Sequence, residues 1–217
     1  MSRGSIAKHR RHAARFALPG PRAALIMGRM SAPLDARMQY WVSQFWTFFR
    51  QNDRAIDCLR AALKKAPDMV DAWRYVGFLY SQRGDQTAAL QALSEAVRLA
   101  PDDAETRFNL GFILHERGDA DGAIAQYTEV VRLRPSLDRA WYGLGAIYHA
   151  RRDWPRAIAN LQEAAKLQYF NPYAGHLLAT AYHFAGQQDK AVEEWKRVLG
   201  FDPKAGAQIG REIGATA

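Results

Sequence analysis

Proline recurs at a fixed interval along the chain, and this interval constrains the fold more than any other feature. Pro67, Pro101 and Pro135 are 34 residues apart, and Pro203 follows two intervals later. A period of roughly 20 to 50 residues is typical of repeat architectures, in which small units of secondary structure stack on one another. The chain is therefore expected to form a stack of similar units.

Other positions recur in phase with the prolines. If each repeat ends two residues after its proline position, the five repeats span 36–69, 70–103, 104–137, 138–171 and 172–205. The twentieth position is alanine in every repeat: Ala55, Ala89, Ala123, Ala157 and Ala191. The eighth is small in the last four: Gly77, Gly111, Gly145 and Ala179. Apolar residues at three- and four-residue spacing predict two amphipathic helices per repeat, and the small residues let the two helices approach closely.

The residues that can start helices fit the same register. Asp153 and Asn171 precede Pro155 and Pro172 and are expected to cap the helices that follow. In this pattern residues 36–203 resemble the tetratricopeptide-repeat family. The resemblance implies an all-α, right-handed α-solenoid of five stacked antiparallel helix pairs. Tyr169 stands where the fourth repeat should carry proline, so the turn at 168–171 is expected to differ from the others.

The two ends of the chain lie outside the repeats. Residues 1–34 carry seven arginines and lysines and no acidic residue, which accounts for most of the formal net charge of +8. We expect residues 1–35 to be a basic, disordered segment, with translation from Met27 or Met30 as an alternative. Residues 204–217 are expected to form a short, fraying cap or tail. Outside residues 1–34 the charges nearly balance, so a nucleic-acid-associated adaptor would have to use the basic segment.

Catalytic motifs are missing from the sequence. It has no glycine-rich phosphate loop, nucleophile elbow or paired-histidine zinc motif, and its single cysteine, Cys58, permits no intramolecular disulfide. We therefore predict no enzyme activity, no cofactor and no small-molecule substrate. The alternative is a metal-dependent enzyme at a ladder of histidines in position twelve, His115, His149 and His183, with His176 nearby.

The family resemblance also implies where a partner binds. In that family the first helices line the concave face, so a protein or peptide segment is expected to bind there. The predicted groove residues are Arg74, Phe78, Phe108, Asn109, Phe112, Arg139, Tyr142, His149, Tyr173 and His176. Aromatic and arginine side chains are typical binding hot spots. The clamp for C-terminal carboxylates found in some relatives is not expected, because Phe78 and Gly143 replace two of its polar residues.

These observations predict a non-catalytic scaffold or assembly factor in the cytoplasm. No membrane span is expected, because the richest apolar stretch, Tyr40 to Phe49, is short and contains Ser43 and Gln44. The aromatic residues of this stretch belong to the first helix of the first repeat. That helix is expected either to cap the stack or to dock a partner.

Overall fold

The computed structural model describes residues 32–215, and every regular element in this range is an α-helix. The helices, numbered in chain order, are α1 Leu34–Phe48, α2 Asn52–Lys65, α3 Val70–Arg83, α4 Gln86–Leu99, α5 Ala104–Glu116, α6 Ala120–Leu133, α7 Asp138–Ala150, α8 Trp154–Leu167, α9 Pro172–Phe184, α10 Gln188–Phe201 and α11 Pro203–Ile213. The first ten are the predicted helix pairs. None of the described helices is long and apolar enough to span a bilayer.

The described chain forms two compact units, which we call the N-terminal unit (residues 32–126) and the C-terminal unit (residues 127–215). In the N-terminal unit, α1 packs on α2, α2 on α3, α3 on α4, and α4 on α5. Its core contains Leu59, Val76 and Leu79 between the first two helix pairs, and Leu93 with Ile113 further along. Each of α2, α3 and α4 thus buries its apolar face against neighbours on both sides.

In the C-terminal unit, α7 packs on α8, α8 on α9, and α9 on α10, while α11 covers both α9 and α10. The sequence led us to expect a short cap or tail over residues 204–217, and residues 203–213 form this helix. Asp202 caps α11 by accepting a hydrogen bond from the Ala205 backbone N–H at 2.9 Å, and Ile209 and Ile213 are buried. An N-terminal cap and a buried apolar face together stabilise a short helix.

The small residues at position eight have a direct packing reason. A Cβ on Gly77 would lie 2.8 Å from Leu93 Cγ, and one on Gly145 would lie 2.5 Å from Leu161 Cγ. Both leucines occupy position twenty-four of the same repeat. The paired helices can therefore reach this separation only when the facing residue has no side chain.

The predicted capping residues are confirmed, but one predicted turn is not. Asp153 accepts from the Arg156 N–H, and Asn171 accepts from the N–H groups of Tyr173 and Ala174. The turn at 168–171 forms the same backbone hydrogen bond, from Asn171 N to Gln168 O at 3.0 Å, as the turns that carry proline. Proline at that position is therefore dispensable, because its nitrogen donates no bond in this turn.

Candidate partner-binding faces

Arg74 and Phe78 place a charged and an aromatic side chain on α3 of the N-terminal unit. The Arg74 guanidinium donates to Asp71 Oδ1 at 2.6 Å and to Asp103 Oδ2 at 3.0 Å, and the side chain is 16% exposed. Asp103 also caps α5. Arg74 therefore links α3 to the start of α5, and two carboxylates balance its charge.

A row of aromatic rings leads to Phe78. Tyr40 and Tyr75 have ring centroids 6.2 Å apart, and Tyr75 stacks nearly parallel on Phe78 at 6.1 Å. Burial, followed by the nearby charge of Asp71, raises the pKa of Tyr40 to about 12, so its hydroxyl is neutral. Phe78, the third ring of this row, is half-buried.

The prediction that Phe108 and Asn109 line an open groove is wrong, because both side chains are buried in α5. An aromatic ring at a position that neighbouring helices can cover gains free energy by leaving water. Asn109 Oδ1 is buried without a hydrogen-bond partner among the described residues. Phe112, one turn further along α5, is half-buried and packs against the core formed with α4.

In the C-terminal unit the half-buried residues of the predicted groove are Arg139 and Tyr142 on α7 and Tyr173 and His176 on α9. Burial raises the pKa of the Tyr142 hydroxyl, with a smaller contribution from Tyr173. The hydroxyl is therefore well shielded from water. These side chains give the C-terminal unit an aromatic surface that includes one guanidinium group, with the Asp138 carboxylate close to it.

His149 lies in the interior, which contradicts its predicted place in the groove. Its Nε2 is 2.9 Å from Thr180 Oγ1, and that hydroxyl is 3.0 Å from the His176 carbonyl oxygen to which it donates. The neutral His149 ring therefore donates to Thr180. Burial, followed by the charge of His176, lowers the pKa of His149. The edge of its ring meets Trp154.

The other histidines of the C-terminal unit bind separate partners. His176 Nε2 lies 2.6 Å from Glu212 Oε2, which connects α9 to α11, and His183 Nδ1 lies 2.8 Å from Gln188 Oε1. Across residues 32–215, no group of three or more histidine, cysteine, aspartate or glutamate side chains is arranged to hold a metal. The pKa of the Cys58 thiol is raised by burial, which favours its protonated form.

Gly143, which replaces a basic residue of the carboxylate-clamp pattern, has a packing explanation. A Cβ on Gly143 would lie 2.7 Å from the Tyr127 ring. The ring occupies the space that a larger residue would need, so a basic side chain at this position would require Tyr127 to move. The sequence showed the substitution, but it could not show which side chain fills the space.

The described residues also form two exposed apolar surfaces. The first, on α1, is formed by side chains of the aromatic stretch. The second surrounds the turn after α8, where Tyr169, Phe170 and Phe201 form edge and tilted ring contacts and the Arg197 guanidinium lies 4.8 Å from the Tyr169 ring centroid. The missing proline at position 169 was the only sequence signal for this second cluster.

Two protein-family models of tetratricopeptide repeats match parts of the chain. A model described as tetratricopeptide repeat matches residues 49–104, and a model described as TPR repeat matches residues 112–151. No curated protein matches the chain.

Solved structures with similar folds agree with these matches. MamA from Desulfovibrio magneticus is 18% identical with a TM-score of 0.73, and the match covers 80% of this chain and 98% of MamA. YrrB, described as a TPR protein with an unusual peptide-binding site, is 15% identical with a TM-score of 0.72, over 82% and 92% of the two chains. A tetratricopeptide repeat protein from Parabacteroides merdae is 16% identical with a TM-score of 0.74, over 84% and 75%. At these identities the likeness shows the fold, which confirms the predicted all-α solenoid class.

Proposed function

We propose that this chain, which is a tetratricopeptide-repeat protein, is a non-catalytic cytoplasmic scaffold that binds an extended or helical segment of another protein on the first helices of its repeats. The observation that carries the proposal is the division of these helices into two faces. In the last four repeats, positions three and ten are buried: Ala72, Leu79, Thr106, Ile113, Ala140, Ile147, Ala174 and Ala181. The aromatic and charged residues of positions two, five and nine stay mostly half-buried on the other face.

Half-burial is the state that suits a binding residue. A ring packed along one side is already ordered, so a partner that covers the other side buries apolar area at little cost in side-chain entropy. In the N-terminal unit this description fits Phe78 and Phe112, with Arg74 held in place by its two carboxylates. In the C-terminal unit it fits Tyr142, Tyr173 and Arg139. Aromatic and arginine side chains are the commonest hot-spot residues in protein interfaces.

The charges favour a segment with acidic or hydrogen-bonding groups. Arg139 supplies a guanidinium on this face, and Tyr173 supplies a half-buried phenol ring with a hydroxyl group. The single cysteine permits no intramolecular disulfide, which fits a reducing compartment such as the cytoplasm.

Affinity capture from a native lysate, followed by mass spectrometry, tests the proposal. The wild-type chain is compared with Arg139→Ala and Tyr173→Ala, and with two controls outside the proposed face, Arg132→Ala and Tyr169→Ala. The controls carry the same chemical changes at exposed positions. We expect the proposed-face variants to lose a protein that the wild type and both controls recover, with unchanged melting temperatures. Recovery of the same proteins by all five chains would contradict the proposal.

A further inference from the structure

The outward face of α1 is covered by no described residue, although it is the most apolar surface of the N-terminal unit. Its exposed members are Leu34, Met38, Trp41, Val42, Phe45, Phe48 and, just beyond the helix, Phe49. Drawn at about 3.6 residues per turn, they fill an arc of about 120° that contains no charge. The opposite side of α1, with Ala36, Tyr40 and Ser43, is the one that is buried.

This face corresponds to a surface that is buried in the other repeats. Met38 and Phe45 occupy positions three and ten and are 58% and 56% exposed. The same positions in α5 are Thr106 and Ile113, which are buried, and Ile113 packs in the core formed with α4. The exposure of Met38 and Phe45 follows from their place in the first repeat.

The side chains on this face are unsuited to another repeat. Position three is alanine or threonine in the four later repeats, which lets the preceding helix approach closely. Met38 and the ring of Phe45 would hold such a helix away. Phe45, Phe48 and Phe49 pack against one another with ring centroids 4.8 and 5.3 Å apart. They form a bulky ridge. Such a ridge fits against a surface that can deform around it better than against the preformed groove of another helix pair.

The charge next to this face indicates which kind of surface covers it. Residues 1–34, which precede α1, carry seven lysines and arginines and no acid. Two exposed charged residues flank the apolar arc, Arg37 on one side and Asp35, which pairs with Lys65, on the other. A second copy of the chain would bring two such basic segments together, which is unfavourable. Nucleic acid would match the charge and leave the apolar face in water. An anionic bilayer matches both, because stable peripheral attachment combines inserted apolar side chains with basic residues.

We propose that the α1 face attaches the protein to an anionic lipid surface, to which the basic charge of the preceding sequence also favours binding. Trp41 and the phenylalanines enter the boundary between headgroups and acyl chains, where aromatic side chains are favoured. The helix lies on the membrane, because its other side remains packed on α2. The proposed function concerns a different set of helix positions, so the two can fail separately.

Vesicle co-sedimentation with the full chain tests the proposal. The vesicles contain phosphatidylcholine alone or with about one quarter phosphatidylglycerol. Each cation near an anionic surface favours binding by about fivefold, so we expect binding to the anionic vesicles only and a loss of at least about tenfold when salt rises from about 50 to about 500 mM. Protein that stays in the supernatant with anionic vesicles would overturn the proposal.

A matched pair of variants separates the apolar face from simple charge attraction. Phe48→Glu changes a side chain that is 82% exposed, and Phe170→Glu makes the same change at a phenylalanine that is 73% exposed in the other unit. Neither should unfold the protein, and circular dichroism checks this. We expect Phe48→Glu to weaken binding at least about tenfold and Phe170→Glu to have little effect. Equal binding by both variants would show charge attraction alone and overturn the role of α1.

Sedimentation velocity without lipid tests whether a second copy of the chain covers the α1 face instead. We expect a monomer for the wild type and for Phe48→Glu. A wild-type dimer that Phe48→Glu dissociates would overturn the proposal and assign the face to self-association.

Discussion

Replacement of Gly145 by alanine is expected to destabilise the protein, although alanine is the better helix former. Gly145 lies within α7, where the gain in helix propensity is about 0.5 to 1 kcal/mol. A new Cβ would lie 2.5 Å from Leu161 Cγ, 2.8 Å from Leu161 Cδ2 and 3.3 Å from the Leu161 backbone nitrogen. The leucine side chain cannot relieve all three contacts by changing rotamer, because one of them is to the backbone of α8.

The magnitude follows from these two opposing effects. Overpacking of this kind costs about 1 to 3 kcal/mol, so the net loss in the free energy of unfolding is about 0 to 2.5 kcal/mol, with a midpoint of about 1 kcal/mol. For a chain of this size, about 1 kcal/mol corresponds to a fall of about 2 to 4 °C in Tm. Gly200 is the matched control, since it is a helical glycine in α10 with nothing within 4 Å of a new Cβ. Gly200→Ala should stabilise by up to about 1 kcal/mol.

Chemical denaturation of the wild type and both variants measures the difference. We expect the two substitutions, which are chemically identical, to shift the midpoint in opposite directions. If Gly145→Ala is as stable as Gly200→Ala, the close contact between positions eight and twenty-four is not a constraint on this fold, and the packing explanation of the repeat fails.

Three further predictions concern packing, capping and pH. Ala123→Leu in α6, at a fully buried alanine, should cost about 1 to 3 kcal/mol by denaturation, whereas Ala159→Leu at an exposed helical position should be nearly neutral. Asn171→Ala removes the cap of α9 and should cost about 0.5 to 2 kcal/mol, measured by thermal melting. Burial lowers the pKa of His149, so between its folded and unfolded pKa values the unfolded chain binds more protons and stability falls as pH drops. His149→Gln should flatten that part of a stability profile recorded from about pH 7.5 to about 5.5.

The spacing of small and large residues was sufficient to predict the helix pairs. Gly145 and Leu161 are sixteen residues apart, and their contact depends only on two helices joined by a short turn. The caps at Asp153 and Asn171 were predictable for the same reason, because each hydrogen-bonds within its own turn. Local chemistry repeated in phase determines this level of structure.

The burial of individual groove positions was not predictable from the repeat pattern. His149 is interior because Thr180, 31 residues later, accepts its hydrogen bond and Trp154 covers its ring. Helical periodicity assigns a residue to a face, but the neighbouring repeat decides whether that face is covered. The helical form of the expected C-terminal cap was not predictable from the repeat pattern, because most of this helix lies beyond the last repeat. Gly206 has no side chain there, which permits its contact with Leu199.

The affinity of the captured segment for the purified chain tests the scaffold function most directly. Isothermal titration calorimetry compares the wild type with Arg139→Ala and Tyr173→Ala on the proposed face, and with Arg132→Ala and Tyr169→Ala outside it. We expect each proposed-face variant to bind at least about tenfold more weakly, corresponding to about 1.4 kcal/mol or more, while both controls keep the wild-type Kd and all five chains share one melting temperature. Equal Kd values for all five chains would contradict the proposed binding face and leave the scaffold function without its site.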